Sequence, residues 1–254
     1  NLNIIITGSE GLIGKTICKL FEDINYNVIR CDLQLGHDLN DEKFVRNFFK
    51  SNTAPYLLNL FGLNNHQTSS DSSNNVFDIS LQSFNAYLQC NLVNLFSTCR
   101  EFARNSESKS IVNVSSLYSV ISPDPLLYKT SKNDRQEKHI AYGVSKAGVE
   151  QLTRHLGVHL APKIRVNCVA PGGVESSNIP EDFKIKFCEK VPLKRQQKIE
   201  ELFGMFRFLC SEESSYTTCE IFRINGINSL DIYFKTLKPA DFLDLDHIDA
   251  IDEQ

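Results

Sequence analysis

The chain has no excess of positive charge, no long apolar run, no Cys-x-x-Cys pair and no internal repeat. Lys and Arg number 27 against 31 Asp and Glu, for a formal charge of −4. No nucleic-acid partner is expected, because such proteins carry a basic footprint. Without a stretch of about 18 apolar residues, no membrane span is expected either. Cysteines stand at Cys18, Cys31, Cys90, Cys99, Cys168, Cys188, Cys210 and Cys219, mostly inside apolar segments. They read as buried reduced thiols; neither a metal site nor a disulfide framework is expected. Asn1 leads straight into a strand, so a signal peptide is not expected and a cytoplasmic location is. With 254 residues, 41% of them hydrophobic, the chain can bury a full core.

Apolar runs and helical periodicities alternate along the chain. Strands are expected at Leu2–Thr7, Asn27–Cys31, Tyr56–Phe61, Ile111–Val114, Ile164–Ala170 and Glu220–Ile224. Helices are expected after Gly14, over Asp41–Lys50, over Leu81–Arg104 as one long element, from Tyr142 to Leu160, near Asp182–Lys190 and over Lys198–Leu209. That alternation predicts an α/β domain with a parallel sheet covered by helices on both faces. Asn64–Asn75 and Ser122–Ile140 read as polar excursions. Residues 228–254 form an acidic extension; Asp241–Gln254 reads either as a tail or as an amphipathic docking segment. Asn113-Val-Ser115 matches a glycosylation sequon, but sits at a strand end and is set aside. His155 and His159 lie half a turn from the Lys146 face and read as surface or subunit-contact residues.

Two segments carry chemistry. In Tyr142-Gly-Val-Ser-Lys146 the spacing puts an ammonium beside a phenol on one helical face. A nearby positive charge favours the phenolate, bringing a general acid–base toward neutral pH. The pair alone is weak, since roughly half a match is expected by chance. A second copy, Tyr128-Lys-Thr-Ser-Lys132, has the same spacing. Only Tyr142 opens a ridge of Val144, Gly148, Leu152, Leu156 and Leu160, and a catalytic group needs rigid support. Tyr142 is therefore favoured.

The other segment is Thr7-Gly-Ser-Glu-Gly-Leu-Ile-Gly14, between the first strand and the first helix. Its glycines let a pyrophosphate approach the backbone at a helix N-terminus. Asp32, at the end of the second strand, is placed to bind an adenosine ribose and to repel a 2′-phosphate, favouring NAD over NADP. Ser9 to Thr16 also comes near a nucleoside-triphosphatase phosphate loop. However, Ser9 stands where that pattern needs a glycine, and no other strand ends in a Mg²⁺-binding aspartate.

Taken together, residues 3 to 227 resemble the short-chain dehydrogenase/reductase family, which implies a single Rossmann-type doubly wound domain of about seven parallel strands. The resemblance assigns cofactor contacts to Gly8, Ser9, Gly11, Ile13, Gly14, Asp32, Asp38, Leu39, Asn59, Phe61 and Gly62. It adds Pro171, Gly172, Val174 and Ser176, in a loop that resembles the one beside the nicotinamide. It implies a catalytic set of Asn91, Ser116, Tyr142 and Lys146: Tyr142 moves the proton, Lys146 lowers its pKa and holds the ribose, Ser116 binds the substrate oxygen, and Asn91 holds a relay water. The implied activity is NAD(H)-dependent oxidation or reduction of a small-molecule hydroxyl or carbonyl, in a homodimer or homotetramer built through the two long helices. A non-catalytic dinucleotide sensor is the alternative.

The departures from the family pattern are also informative. The Ser116–Tyr142 interval is about twice the usual length. The inserted segment, and the Gly8, Gly11, Gly14 spacing, resemble a subgroup linked to bacterial surface-sugar and flagellin modification. Cys219 stands where the family keeps a glycine.

Overall fold

The computed structural model describes residues 2–64, 76–128 and 138–226. The 228–254 extension, nearly all of the 64–75 loop and the middle of the 122–140 excursion, including Lys132 of the rival pair, lie outside the described residues.

The elements run β1 (Leu2–Thr7), α1 (Leu12–Asp23), β2 (Tyr26–Cys31), α2 (Glu42–Ser51), β3 (Tyr56–Asn59), α3 (Leu81–Leu88), α4 (Asn94–Ala103) and β4 (Ser110–Val114). They continue with α5 (Pro125–Tyr128), α6 (Ile140–Leu160), β5 (Arg165–Pro171), α7 (Glu181–Lys190), α8 (Glu200–Leu209) and β6 (Ile221–Ile224). The strands form one all-parallel sheet in the order β2-β1-β3-β4-β5-β6. Six strands stand among the described residues, against the seven or so expected. Residues 32–41 are all that separate β2 from α2, and they hold a 3-10 turn at Leu33–Leu35. A further parallel strand needs a crossover of about a dozen residues or more.

Strand periodicity sorts the core. Ile4 and Ile6 face α1 and α8, packing with Ile17, Phe21 and Phe206. Ile5, between them, faces α2, α4 and α6 with Phe48, Phe102 and Val149. Both faces are therefore apolar, as a parallel sheet requires. Each fully buried large side chain contributes roughly 1.5–3 kcal/mol. Asp41 caps α2 by accepting from the amides of Lys43 at 2.9 Å and Phe44 at 3.3 Å. The Leu81–Arg104 segment is not one α-helix: a π turn at Gln89–Val93 joins α3 to α4. That turn carries Asn91, buried at 2% exposure.

A polar chain crosses the sheet where the strands end. Thr7 Oγ1 donates to Asn59 Oδ1 at 2.8 Å, Asn59 Nδ2 to Asn113 Oδ1 at 3.0 Å, and Asn113 Nδ2 to Thr153 Oγ1 at 3.1 Å. All four residues are buried, so the chain pins β1, β3 and β4 to α6. Asn113 thus works inside the core, consistent with setting its sequon aside.

Candidate active site

The sheet order reverses between β1 and β3, which is where an open α/β sheet forms its ligand crevice. The two loops leaving these strands touch. Gly8 sits at φ +70°, and a Cβ there would lie 2.4 Å from the Phe61 amide nitrogen. A Cβ on Gly14 would lie 2.0 Å from the Gly8 carbonyl oxygen. Only glycine fits at either place. The N-terminus of α1, at Gly11, has no side-chain cap and no acid in its first turn. This bare glycine cradle fits a pyrophosphate. Ser9 is buried and Ile13 half-buried on the same turn.

Asp32 sits at the mouth of the cradle, at 9% exposure. Its Oδ2 accepts from the Glu10 amide at 2.9 Å and its Oδ1 from the Gln34 amide at 2.8 Å. A carboxylate offers about four acceptor sites, so two remain for a diol. Arg30, the nearby cation, is held by Glu10 at 3.2 Å and Glu22 at 2.8 Å. Asp38 is exposed and turns back on the Asn40 amide at 2.9 Å, while Leu39 packs on the core. Across the crevice, the Gly172 amide donates to the Ile224 carbonyl at 3.2 Å, and a Cβ on that glycine would lie 2.7 Å from the Asn225 carbonyl oxygen. Val174 bridges to Gln197 and the Ser176 hydroxyl accepts from the Asn178 amide, so the Pro171–Ser176 loop is held in place.

The four proposed catalytic residues come together beside this crevice. A Cβ built on Gly62 would lie 3.3 Å from both Asn91 Oδ1 and Lys146 Nζ, so both groups pack against the β3 loop. Asn91 accepts from the Leu63 amide at 2.6 Å and donates to the Leu63 carbonyl at 3.1 Å and to Ser145 Oγ at 3.0 Å. Ser116 follows β4; its hydroxyl accepts from the Tyr118 amide at 3.2 Å and lies near enough to the Tyr142 phenol to favour its ionised form. α6 itself begins under a His139 cap, whose Nδ1 accepts from the Ala141 amide at 3.1 Å. Ser115 Oγ donates to the Lys146 carbonyl at 2.9 Å, locking the strand end to the helix. Glu150, one turn beyond Lys146, accepts from Ser119 Oγ and from Arg223 at 2.9 Å.

One expectation needs correction. Lys146 makes no hydrogen bond to the phenol. Its ammonium lies 5.9 Å from the Tyr142 ring centroid and donates to the Val114 carbonyl at 2.9 Å. Burial pushes the Tyr142 phenol above its ordinary pKa, and the nearby Ser116 hydroxyl only partly opposes this. Burial likewise lowers Lys146, to about 8. Helical spacing put the pair on one face, but a carbonyl at the β4 end captures the ammonium first.

The rival Tyr128 is buried, and its hydroxyl donates to the Tyr118 hydroxyl at 2.9 Å. Tyr118 in turn meets Tyr142 edge-on, with centroids 6.5 Å apart. Tyr128 is therefore part of an aromatic wall beside Tyr142. Sequence reasoning missed Tyr118, two residues beyond Ser116, and Lys138, whose ammonium stands 4.1 Å over the Tyr142 ring. Burial and the Lys146 charge bring Lys138 down to about 7. His155 and His159 are exposed on α6, with ring centroids 6.2 Å apart, and all eight cysteines are free thiols. Among the described residues, no helix is long and apolar enough to cross a membrane.

Comparison with known proteins agrees with this architecture. A family model described as enoyl-(acyl carrier protein) reductase matches residues 3–226. The chain is 28% identical to 3-oxoacyl-(acyl-carrier-protein) reductase FabG of Thermotoga maritima over 250 residues, covering 87% of this chain and 95% of that protein. It is 28% identical to glucose 1-dehydrogenase 2 of Bacillus subtilis over 158 residues, 59% of this chain and 56% of that protein. Among solved structures it resembles a short chain dehydrogenase from Leptospira borgpetersenii with bound NAD+, with a TM-score of 0.76 and 25% identity, covering 89% of this chain and 92% of that one.

Proposed function

The chain belongs to the short-chain dehydrogenase/reductase family and is an NAD(P)-dependent oxidoreductase; from that premise we propose that it uses NAD(H) and acts on a hydroxyl or carbonyl of a sugar-derived small molecule. The observation that carries the reading is the convergence of Asn91, Ser116, Tyr142 and Lys146 beside the glycine cradle. The nicotinamide, when bound, accepts or delivers the hydride. Tyr142 takes the hydroxyl proton in oxidation and returns it in reduction. Ser116, close to that phenol, donates to the substrate oxygen and stabilises developing negative charge. Lys146, buried and close to its ionisation point, is held where it can exchange the Val114 carbonyl for a ribose hydroxyl. Asn91 ties the β3 loop to α6 and keeps one acceptor lone pair for a water. The proposed holder of the adenosine ribose is Asp32, with Arg30 turned away from it by two glutamates.

The sugar-derived substrate is supported by the long Ser116–Tyr142 interval and the Gly8, Gly11, Gly14 spacing. The likeness to a glucose dehydrogenase points the same way. A 3-oxoacyl substrate is the second reading, favoured by the likeness to a 3-oxoacyl reductase. Self-association through α3–α4 and α6 belongs to the same proposal: Phe96 and Val93 on one rod, and Val144 and Val158 on the other, are apolar and exposed. Screening sugars, sugar phosphates and 3-oxoacyl thioesters by NADH absorbance tests it. Turnover confined to 3-oxoacyl substrates overturns the sugar reading. Binding of NADH with no Tyr142-dependent turnover of any substrate favours the sensor.

A further inference from the structure

Two ammoniums flank one phenol in this pocket. Lys138 Nζ stands 4.1 Å above the centroid of the Tyr142 ring, and Lys146 Nζ lies 5.9 Å from the same point. Both are turned inward. Lys138 donates to the Asn64 carbonyl at 3.1 Å and to the Oδ1 of the same residue, while Lys146 donates to the Val114 carbonyl. Every one of these partners is neutral. Among the described residues, Lys146 is the cation that bears on Lys138, and the thiols of Cys168 and Cys90 bear on Lys146. Among the described residues, no carboxylate pairs with either lysine.

A surface lysine normally extends its ammonium into water. Here the side chain folds back over an aromatic face and is anchored by both oxygens of one asparagine. An ammonium has three N–H groups; Asn64 takes two and leaves one. Positive charge that no described carboxylate compensates, in a partly buried place, attracts an anion. Lys138 enters at the N-terminal end of α6, next to the His139 cap, so the backbone fixes its position relative to Tyr142.

We infer that Lys138 is a substrate-anion subsite: it binds a carboxylate or phosphate carried close to the carbon that is oxidised or reduced at Tyr142. The inference rests on the oxidoreductase reading of that site and narrows its substrate class to acids or phosphate esters. Neutral polyols and ketones lack the group this lysine is placed to receive.

The test uses the full chain loaded with NADH, so that the dinucleotide's own phosphate site is filled. Acetoacetate and glucose 6-phosphate are titrated against their neutral twins, pentane-2,4-dione and glucose, and inorganic phosphate serves as a free anion. Binding is read calorimetrically. At least one anion is expected to bind roughly tenfold tighter than its twin, as a charge-assisted hydrogen bond gives. Lys138→Met should remove that advantage and leave the neutral twins unchanged, while Lys138→Arg should keep it. The carboxylate and phosphate arms identify the group. Neutral twins that bind as well as the anions overturn the assignment. So does a Lys138→Met variant that holds anions as tightly as the parent, or that weakens all ligands alike. A parent chain that binds no NADH overturns the underlying reading as well, and is seen before any anion is added.

Discussion

Replacing Asp32 by Asn tests the dinucleotide reading at the point where charge decides it. The carboxylate sits at 9% exposure and accepts from the amides of Glu10 and Gln34 at 2.9 and 2.8 Å. A unit charge about 4 Å from a phosphate charge costs about 4 kcal/mol at an effective dielectric of 20. The mouth of the crevice is wetter than that, and roughly 1.5–2 kcal/mol, or ten- to thirtyfold, is the discrimination expected against a 2′-phosphate. Asn keeps the shape but can accept at only one oxygen, so one amide loses its partner at a cost of about 1 kcal/mol. Thermal melts measure that loss separately. Titrating NADH and NADPH by fluorescence at fixed ionic strength should show that the parent prefers NADH by tenfold or more. In Asp32→Asn the preference should fall about tenfold, NADPH gaining while NADH weakens. A ratio that moves less than threefold, or a parent that prefers NADPH, refutes the ribose role of Asp32.

Two further expectations concern stability. Lys146 ionises near 8 in the folded protein against an ordinary 10.5, because burial disfavours its charge. The unfolded chain therefore holds that proton more tightly between about pH 8 and 10.5, and the penalty, about 3 kcal/mol, is full at pH 7 and fades as pH rises through that window. Allowing for the lost bond to Val114, apo Lys146→Met should be about 1–2 kcal/mol more stable than the parent in urea at pH 7, a gain that shrinks by pH 10. No gain at pH 7 contradicts the burial argument. Cys219 sits at φ +66°, where an L side chain costs about 1–2 kcal/mol. Cys219→Gly should stabilise by about 0.5–1 kcal/mol after the backbone entropy of glycine is counted; a destabilised variant would show that the Sγ contact to the Arg154 carbonyl outweighs the strain.

The doubly wound sheet was readable because both its faces are apolar and its turns are marked by glycine and asparagine. The Ile4, Ile5, Ile6 alternation and the Thr7–Gly14 turn carry that information locally. That six strands, and not about seven, stand among the described residues was not legible from the resemblance, but the shortness of the 32–41 segment leaves no room for a further strand there. The π turn around Asn91 left no trace, because Leu88, Leu92 and Leu95 keep an i, i+4, i+7 pattern that reads as a continuous helix. At the site, Tyr142 was separable from Tyr128 by the ridge that follows it, and the fold explains why: Tyr128 gives its hydroxyl to Tyr118. Spacing could not reveal that Lys146 bonds the Val114 carbonyl, since that acceptor is 32 residues away. Lys138 was hidden because its segment is polar throughout, and only the folded chain sets it against Tyr142.

The central claim is that Tyr142, and not Tyr128, moves the proton. Its most direct test compares Tyr142→Phe with Tyr128→Phe on whichever substrate the NADH screen identifies, following NADH absorbance with NADH affinity measured in parallel. Tyr142→Phe should bind NADH within twofold of the parent and lose turnover by at least about a hundredfold, the usual worth of a general acid–base. Tyr128→Phe should keep turnover within a few-fold. Unchanged turnover in Tyr142→Phe, or its loss in Tyr128→Phe alone, contradicts the account.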